Sequence, residues 1–152
     1  MVNINLNNID ELALEFSGAK PFNHIYIDNL FEDSLLQSIQ QELLLENKWD
    51  IRDHQDIQVK WRSNWQDDSD VPENTLKLIQ FLNSGGFLRK LSRITGIDGL
   101  IPDPYLSGGG FNKINSGGLL AVHADGNWND LMRVHRRLNL IIYLNKDWKD
   151  EW

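Results

Sequence analysis

The spacing of apolar residues changes near Gly96, and this change constrains the fold of the 152-residue chain more than any other feature. Before Gly96, apolar residues recur every three or four positions, which is the spacing of one helix face. After it, proline and glycine interrupt short runs that alternate with a period of two, as strands do. A helical first half that leads into a strand-rich second half predicts an α+β domain, with helices against one face of an antiparallel sheet.

Four helices are predicted before this change. Gly18 ends the first, Ser34 to Gln37 has the pattern of a capping box at the start of the second, Pro72 and Ser84 open the third and fourth, and Gly96 ends the fourth. Their apolar stripes are Ile9, Leu12, Ala13 and Phe16; Leu35, Leu36, Ile39, Leu43 and Leu44; Leu76, Ile79 and Leu82; and Phe87, Leu88, Leu91 and Ile94.

Strands are predicted where apolar and polar residues alternate: 24–28, 57–62, 119–124 and 138–145. The acidic stretch Asp67 to Asp70 predicts a surface loop between helices and strands. Gly108 to Gly110 is neither followed by Lys-Ser or Lys-Thr nor placed at a helix start, so a phosphate-binding loop is not expected. A bend or a close backbone approach beside a strand is the favoured interpretation.

Composition excludes several classes of function. The formal net charge of −7 disfavours binding to nucleic acid or to an anionic membrane surface. The absence of cysteine removes disulfides and thiolate chemistry and leaves histidine and carboxylates as the available metal ligands. The N-terminus lacks the basic and apolar regions of a secretory signal, and no apolar stretch reaches the length of a membrane span, so a cytoplasmic protein is expected.

His123 and Asp125 are the strongest candidates for chemistry. On a strand, residues two apart share a face, so the imidazole and the carboxylate can reach one metal ion. The triplet alone is weak, because an exposed histidine near a loop aspartate is common. His24 and His54 are expected to be a strand residue and a loop residue, and His135 is expected to lie at the entry of a strand rather than to bind metal.

Three motifs around this pair occur in a specific order. They are Pro104 to Gly110, Gly117 to Asp125, and Arg136 to Trp148, and Pro21 to His24 precedes them like the opening of a first strand. Together they resemble the prolyl 4-hydroxylase-like branch of the iron(II)- and 2-oxoglutarate-dependent oxygenases. The resemblance covers most of the chain, with a variable helical middle.

The resemblance implies an incomplete double-stranded β-helix, or jelly roll, with N-terminal supporting helices. Residues 1–152 would form a single oxygenase domain, with the helical support in 1–98 and the front of the jelly roll in 99–152. The family's second iron-binding histidine and its basic residue for 2-oxoglutarate follow the last motif, so the chain is expected to hold only the front part of the domain.

The resemblance also assigns roles by position. His123 and Asp125 match the first two iron ligands, and Tyr143 matches the residue whose hydroxyl contacts the distal carboxylate of 2-oxoglutarate. Asn139 and Ile141 share the face of Tyr143 and are expected to line the cosubstrate pocket, and Lys113 lies where the family often has another lining residue.

The implied activity is hydroxylation of a second substrate, coupled to conversion of 2-oxoglutarate to succinate and CO₂. The implied cofactors and partners are Fe(II), 2-oxoglutarate, O₂ and ascorbate, with a protein side chain or a small metabolite as primary substrate. The alternative is a catalytically incomplete fragment, or a non-enzymatic jelly-roll module with a binding or structural role.

Overall fold

The computed structural model describes residues 2–54, 57–107 and 109–149. Within these ranges it describes the backbone of residues 52–59 but not their side chains. Within these residues the chain forms a mixed α+β arrangement of helices and small antiparallel sheets, which confirms the coarse fold class. The chain divides into two compact units, Met1–Ile39 with Pro72–Pro104 and Gln40–Val71 with Tyr105–Trp152. The described part of the chain contains no helix with the length and apolar character of a membrane span.

The helices are α1 (Ile9–Gly18), α2 (Asp33–Leu45), α3 (Glu73–Leu82) and α4 (Gly85–Thr95). Local signals fix α4 at both ends, because the Ser84 hydroxyl accepts a hydrogen bond from the Phe87 amide at 3.3 Å and Gly96 adopts a left-handed φ of 67°. The predicted capping box of α2 is wrong. The helix begins at Asp33, so Ser34 lies inside it, where its carbonyl accepts from the Ser38 hydroxyl.

The first unit contains the apolar core. Ile39, Leu78 and Thr75 are fully buried, and the remaining buried apolar side chains are Leu6, Phe16, Phe31, Phe87 and Ile94. Phe81 packs against the rings of Phe31 and Phe87 at centroid distances of 6.1 and 5.2 Å. The predicted apolar stripes of α1, α2 and α4 therefore supply core residues, as their helical spacing indicates. The predicted stripe of α3 is wrong, because α3 buries Thr75 and Leu78 while Leu76, Ile79 and Leu82 are only half-buried.

The second unit contains an antiparallel sheet in the order β1 (Trp49–His54), β2 (Ile57–Ser63) and β3 (Asn112–Leu120). The prediction of β2 is confirmed along the backbone. Strand β1 was not predicted, and His54 belongs to its backbone rather than to a loop. The side chains of Ile57 and Val59, on which the predicted alternation rested, lie outside the described side chains.

Three predicted strands differ from the structure. Residues 24–28 form no strand, the strand expected at 119–124 ends at Leu120, and residues 138–145 run without strand pairing. Alternation of apolar and polar residues reports on burial, whereas a strand also needs a neighbour for its backbone hydrogen bonds. No strand of the described residues pairs with 138–145, and the described strands close no barrel.

Two arginines bind the loop that precedes β3. Arg62 Nη2 donates to the Leu106 carbonyl at 2.8 Å, and Arg136 Nη2 donates to the Ser107 carbonyl at 2.7 Å. Gly110 has a φ of 117°, and a Cβ at this position would lie 3.4 Å from Arg62 Nε. The predicted bend is confirmed at Gly110, while Gly108 lies outside the described residues.

The predicted acidic loop forms a short 3-10 turn at Asp68–Asp70. The Lys48 ammonium binds Asp70 Oδ1 at 2.5 Å and holds the pKa of Asp70 below its ordinary value. Burial acts to raise the pKa of Glu46, but hydrogen bonds from the Lys48 amide, the Trp65 indole and other donors lower it below its ordinary value. These contacts account for the acidic side chains as structural groups.

Candidate metal centre

A small hairpin follows His123 and Asp125 in the chain. Strands β4 (Trp128–Asn129) and β5 (Val134–His135) pair antiparallel, with Trp128 opposite His135 and Asn129 opposite Val134. The Arg136 amide donates to the Asn127 carbonyl at 2.8 Å and extends the pairing away from the turn. The same register continued by two residues brings Asp125 beside the segment that follows β5.

Asn129 fixes the turn of this hairpin. Its side chain is 3% exposed, and its Oδ1 accepts a hydrogen bond from the Met132 amide at 3.0 Å. Arg133 adopts a left-handed φ of 57°, which reverses the chain direction before β5. A buried amide group bound to the turn backbone holds the two short strands together.

Asn129→Ala is expected to loosen the hairpin, because it removes the acceptor of the Met132 amide and leaves a small cavity. The expected cost is about 1–3 kcal/mol for the buried hydrogen bond. Amide hydrogen exchange at Arg136, whose amide bonds across the hairpin, measures the effect. Exposed Asn145→Ala serves as the control. Unchanged protection at Arg136 in Asn129→Ala would show that Asn129 does not hold the turn.

His123 is oriented by a backbone carbonyl. Its Nδ1 lies 2.7 Å from the Ala121 carbonyl oxygen, and its Nε2 lies 3.3 Å from Asp125 Oδ1. A carbonyl only accepts, so Nδ1 carries the proton that it donates, and in the neutral ring Nε2 then holds a lone pair. Two acceptors facing each other at this distance are satisfied by a cation between them, either a proton on Nε2 or a metal ion.

Asp125 is oriented by an amide from beyond the hairpin. Asn139 Nδ2 donates to Asp125 Oδ2 at 2.9 Å, which leaves Oδ1 as the oxygen beside the ring of His123. Each candidate ligand therefore has one polar atom bonded to the protein, and the second polar atoms of the two side chains lie 3.3 Å apart. Atoms bound cis to one ion at about 2.1 Å lie roughly 3.0 Å apart, so the pair fits two positions of a metal ion.

Two other predicted cosubstrate residues, Tyr143 and Ile141, have exposed side chains. Tyr143 is 70% exposed, and its ring centroid lies 6.5 Å from that of Trp148. Ile141 is also exposed. Of the predicted pocket residues, Asn139 alone is joined to the pair by a hydrogen bond within the described residues. The roles of Tyr143 and Ile141 with 2-oxoglutarate stay predictions.

Lys113 lies on the three-stranded sheet. It is opposite Trp61 in the β2–β3 pairing, and its Nζ lies 5.7 Å from the Trp61 ring centroid and 5.0 Å from that of Trp49. A cation over indole faces at these distances is attracted by the ring quadrupoles. The indole nitrogen of Trp61 is buried without a hydrogen-bond partner. The predicted role of Lys113 in lining the cosubstrate pocket stays a prediction.

Two other histidines have aromatic surroundings. The ring of His24 lies 5.3 and 5.5 Å from the rings of Phe22 and Tyr26, and that of His135 lies 5.0 Å from Trp128. Across the ranges that the structure describes, no group of three His, Cys, Asp or Glu side chains could hold a metal ion. Among the described side chains, no third His, Cys, Asp or Glu therefore joins the pair.

Sequence reasoning missed two parts of the site, the hairpin and the orienting bond from Asn139 to Asp125. The turn residues Asn129 and Asp130 were the available signal, since both favour turns. The flanking strands are only two residues long and give no readable alternation.

Comparison with known proteins gives no match to the chain among family models, curated proteins or solved structures. The geometry of His123, Asp125 and Asn139 and the motifs that surround them therefore carry the information about the chemistry of the site.

Proposed function

We propose that the chain carries the iron site of an Fe(II)- and 2-oxoglutarate-dependent dioxygenase of the prolyl 4-hydroxylase-like branch. The observation that carries the proposal is the 3.3 Å separation of His123 Nε2 and Asp125 Oδ1, with the second polar atom of each side chain bound elsewhere. A ring nitrogen and a carboxylate oxygen so placed match two of the three ligands of a facial triad. The order of the surrounding motifs supports the same assignment.

In this proposal His123 and Asp125 hold the iron, which supplies the oxygen chemistry that side chains lack. The Tyr143 hydroxyl donates a hydrogen bond to the distal carboxylate of 2-oxoglutarate, and Ile141 and Lys113 line the cosubstrate pocket, with ascorbate as reductant. One atom of O₂ enters succinate, formed with CO₂ from 2-oxoglutarate, and the other becomes the hydroxyl of the primary substrate. That substrate is a protein side chain or a small metabolite.

The proposal includes a fold and a location. The antiparallel strands of the second unit would belong to a double-stranded β-helix, whose mouth is the usual position of such a metal site. The protein would be cytoplasmic and would act on neither nucleic acid nor membranes, and the net charge of −7 supports the second part.

A non-enzymatic jelly-roll module, with a binding or structural role, is the second candidate. Two observations favour it. The described residues offer two metal ligands rather than three, and the Tyr143 side chain is largely exposed. Such a module would bind a metal weakly or not at all and would turn over no 2-oxoglutarate.

Metal binding by the pair tests the proposal. Tag-free chain is titrated with Co(II), and the histidine ring signals are followed by NMR, which detects weak sites through paramagnetic shifts. The ring signals of His123 are expected to respond first, because Asp125 lies beside this ring and supplies a second ligand to the same ion. Asp125→Ala is expected to abolish this selective response.

His24 provides a matched comparison within the same titration. Its Nδ1 lies 2.9 Å from the Phe22 carbonyl oxygen, a bond of the same kind as that between His123 and Ala121, but its ring lies among aromatic side chains. Equal responses of the His24 and His123 rings, or an unchanged response in Asp125→Ala, would contradict the proposed metal site.

A further inference from the structure

Asn139 and Asp125 are joined across fourteen residues of sequence. The Asn139 amide donates to Asp125 Oδ2 at 2.9 Å, although both side chains are exposed and neither belongs to a strand. The hairpin explains this meeting, because its register brings the residues after β5 beside those before β4. The bond therefore depends on the hairpin and not on continuous strand pairing.

A carboxylate with two free oxygens can bind a metal ion through both and occupy two coordination positions. A donor bound to one oxygen removes that oxygen from the metal and fixes the plane of the group. Because the acceptor is ionised, such a bond is stronger than one between neutral groups. At Asp125 the bound oxygen is Oδ2, and Oδ1 remains beside His123 Nε2.

We propose that Asn139 is a positioning residue that makes Asp125 a ligand through one oxygen, by holding Oδ2 away from the metal. The inference rests on the proposed function, and it gives Asn139 a role different from the pocket lining implied by the motif. With Asp125 limited to one position, more of the coordination sphere stays open for the cosubstrate and O₂, as a facial triad requires.

The test compares three substitutions in the tag-free chain. Asn139→Leu keeps a branched side chain of similar size and removes the donor, Asn139→Gln keeps a donor on a longer side chain, and Asn145→Leu makes the same exchange at another exposed asparagine. The affinity for Co(II) is expected to fall about 10–100-fold in Asn139→Leu, because the Asp125 carboxylate is then no longer held with Oδ1 beside His123 Nε2, and this loss of orientation outweighs the release of Oδ2. The affinity is expected to recover in part in Asn139→Gln and to stay unchanged in Asn145→Leu.

A second measurement is made without metal. The ¹³C shift of the Asp125 carboxyl group, recorded at one fixed pH, reports directly on the bond to Oδ2. It is expected to move in Asn139→Leu and to stay in place in Asn145→Leu. This measurement, together with Asn139→Gln, still decides the role of Asn139 if Asn139→Leu is less stable by circular dichroism.

The outcomes separate the inference from the proposed function. If His123→Ala abolishes the selective Co(II) response while Asn139→Leu binds Co(II) like the wild type, the positioning role is wrong and the iron site stands. If His123→Ala leaves Co(II) binding unchanged, the iron site itself is wrong. An unmoved Asp125 carboxyl shift in Asn139→Leu also overturns the positioning role, whatever the metal affinity.

Discussion

His123→Ala is expected to lower 2-oxoglutarate-dependent formation of succinate by more than about 100-fold, the upper end of the loss caused by changes around metal ligands. The substitution removes the nitrogen that lies 3.3 Å from Asp125 Oδ1, so the iron loses one of its bonds to the protein. Within the described residues, no neighbouring His, Cys, Asp or Glu can replace that bond. The variant and the wild type are assayed with Fe(II), ascorbate and 2-oxoglutarate. Asp125→Ala is expected to behave in the same way.

The control for this assay is His24→Ala, which also replaces a histidine by alanine, here a half-buried one, and keeps both proposed ligands. Its rate is expected to match that of the wild type. The His123→Ala and Asp125→Ala proteins should have the same circular dichroism spectrum as the wild type, because His123 and Asp125 are exposed. Undiminished succinate formation by His123→Ala would remove this residue from the iron site.

Leu78→Ala is expected to reduce the free energy of unfolding by about 2–5 kcal/mol, the usual range for a buried leucine. Leu78 is 1% exposed and lies on α3 in the core of the first unit, so its removal leaves a cavity. Urea denaturation measures the change as a lower midpoint with an unchanged slope.

Leu14→Ala on α1 is the matched control, because its side chain is 75% exposed. The same exchange at this surface position is expected to change stability by less than about 0.5 kcal/mol. Equal destabilisation by the two substitutions would show that Leu78 does not occupy the core position described.

The helices α1, α3 and α4 could be predicted because their signals are local. At α4, for example, the capping serine Ser84, the apolar stripe and the terminal Gly96 all lie within thirteen residues of one another. Each signal acts through hydrogen bonds or sterics inside the helix itself. The sequence therefore contains what is needed to place the helix ends.

The sheet depends on information that is not local. Strand β1 alternates Trp49, Asp50, Ile51 and Arg52, yet its identity as a strand comes from pairing with β2. Residues 138–145 have a stronger apolar pattern and form no strand, because pattern alone does not supply a partner. Prediction from sequence was therefore more successful for helices than for strands.

The proximity of His123 and Asp125 was expected for a reason that the structure does not support. The sequence predicted a strand that would place both side chains on one face, but β3 ends at Leu120 and the pair lies beyond it. Local bonds to the Ala121 carbonyl and to Asn139 set their geometry instead. Spacing in the sequence indicated which residues meet, and only the hairpin register reveals what orients them.

The loop before β3 has a consequence for how the protein tolerates changes in length. Arg62 from the sheet and Arg136 from beside the hairpin bind the carbonyls of the adjacent residues Leu106 and Ser107. These two peptide groups therefore anchor the sheet and the hairpin to the same short piece of backbone. A residue inserted between Leu106 and Ser107 would shift one anchor relative to the other, so this short piece of backbone should accept substitutions far more readily than insertions.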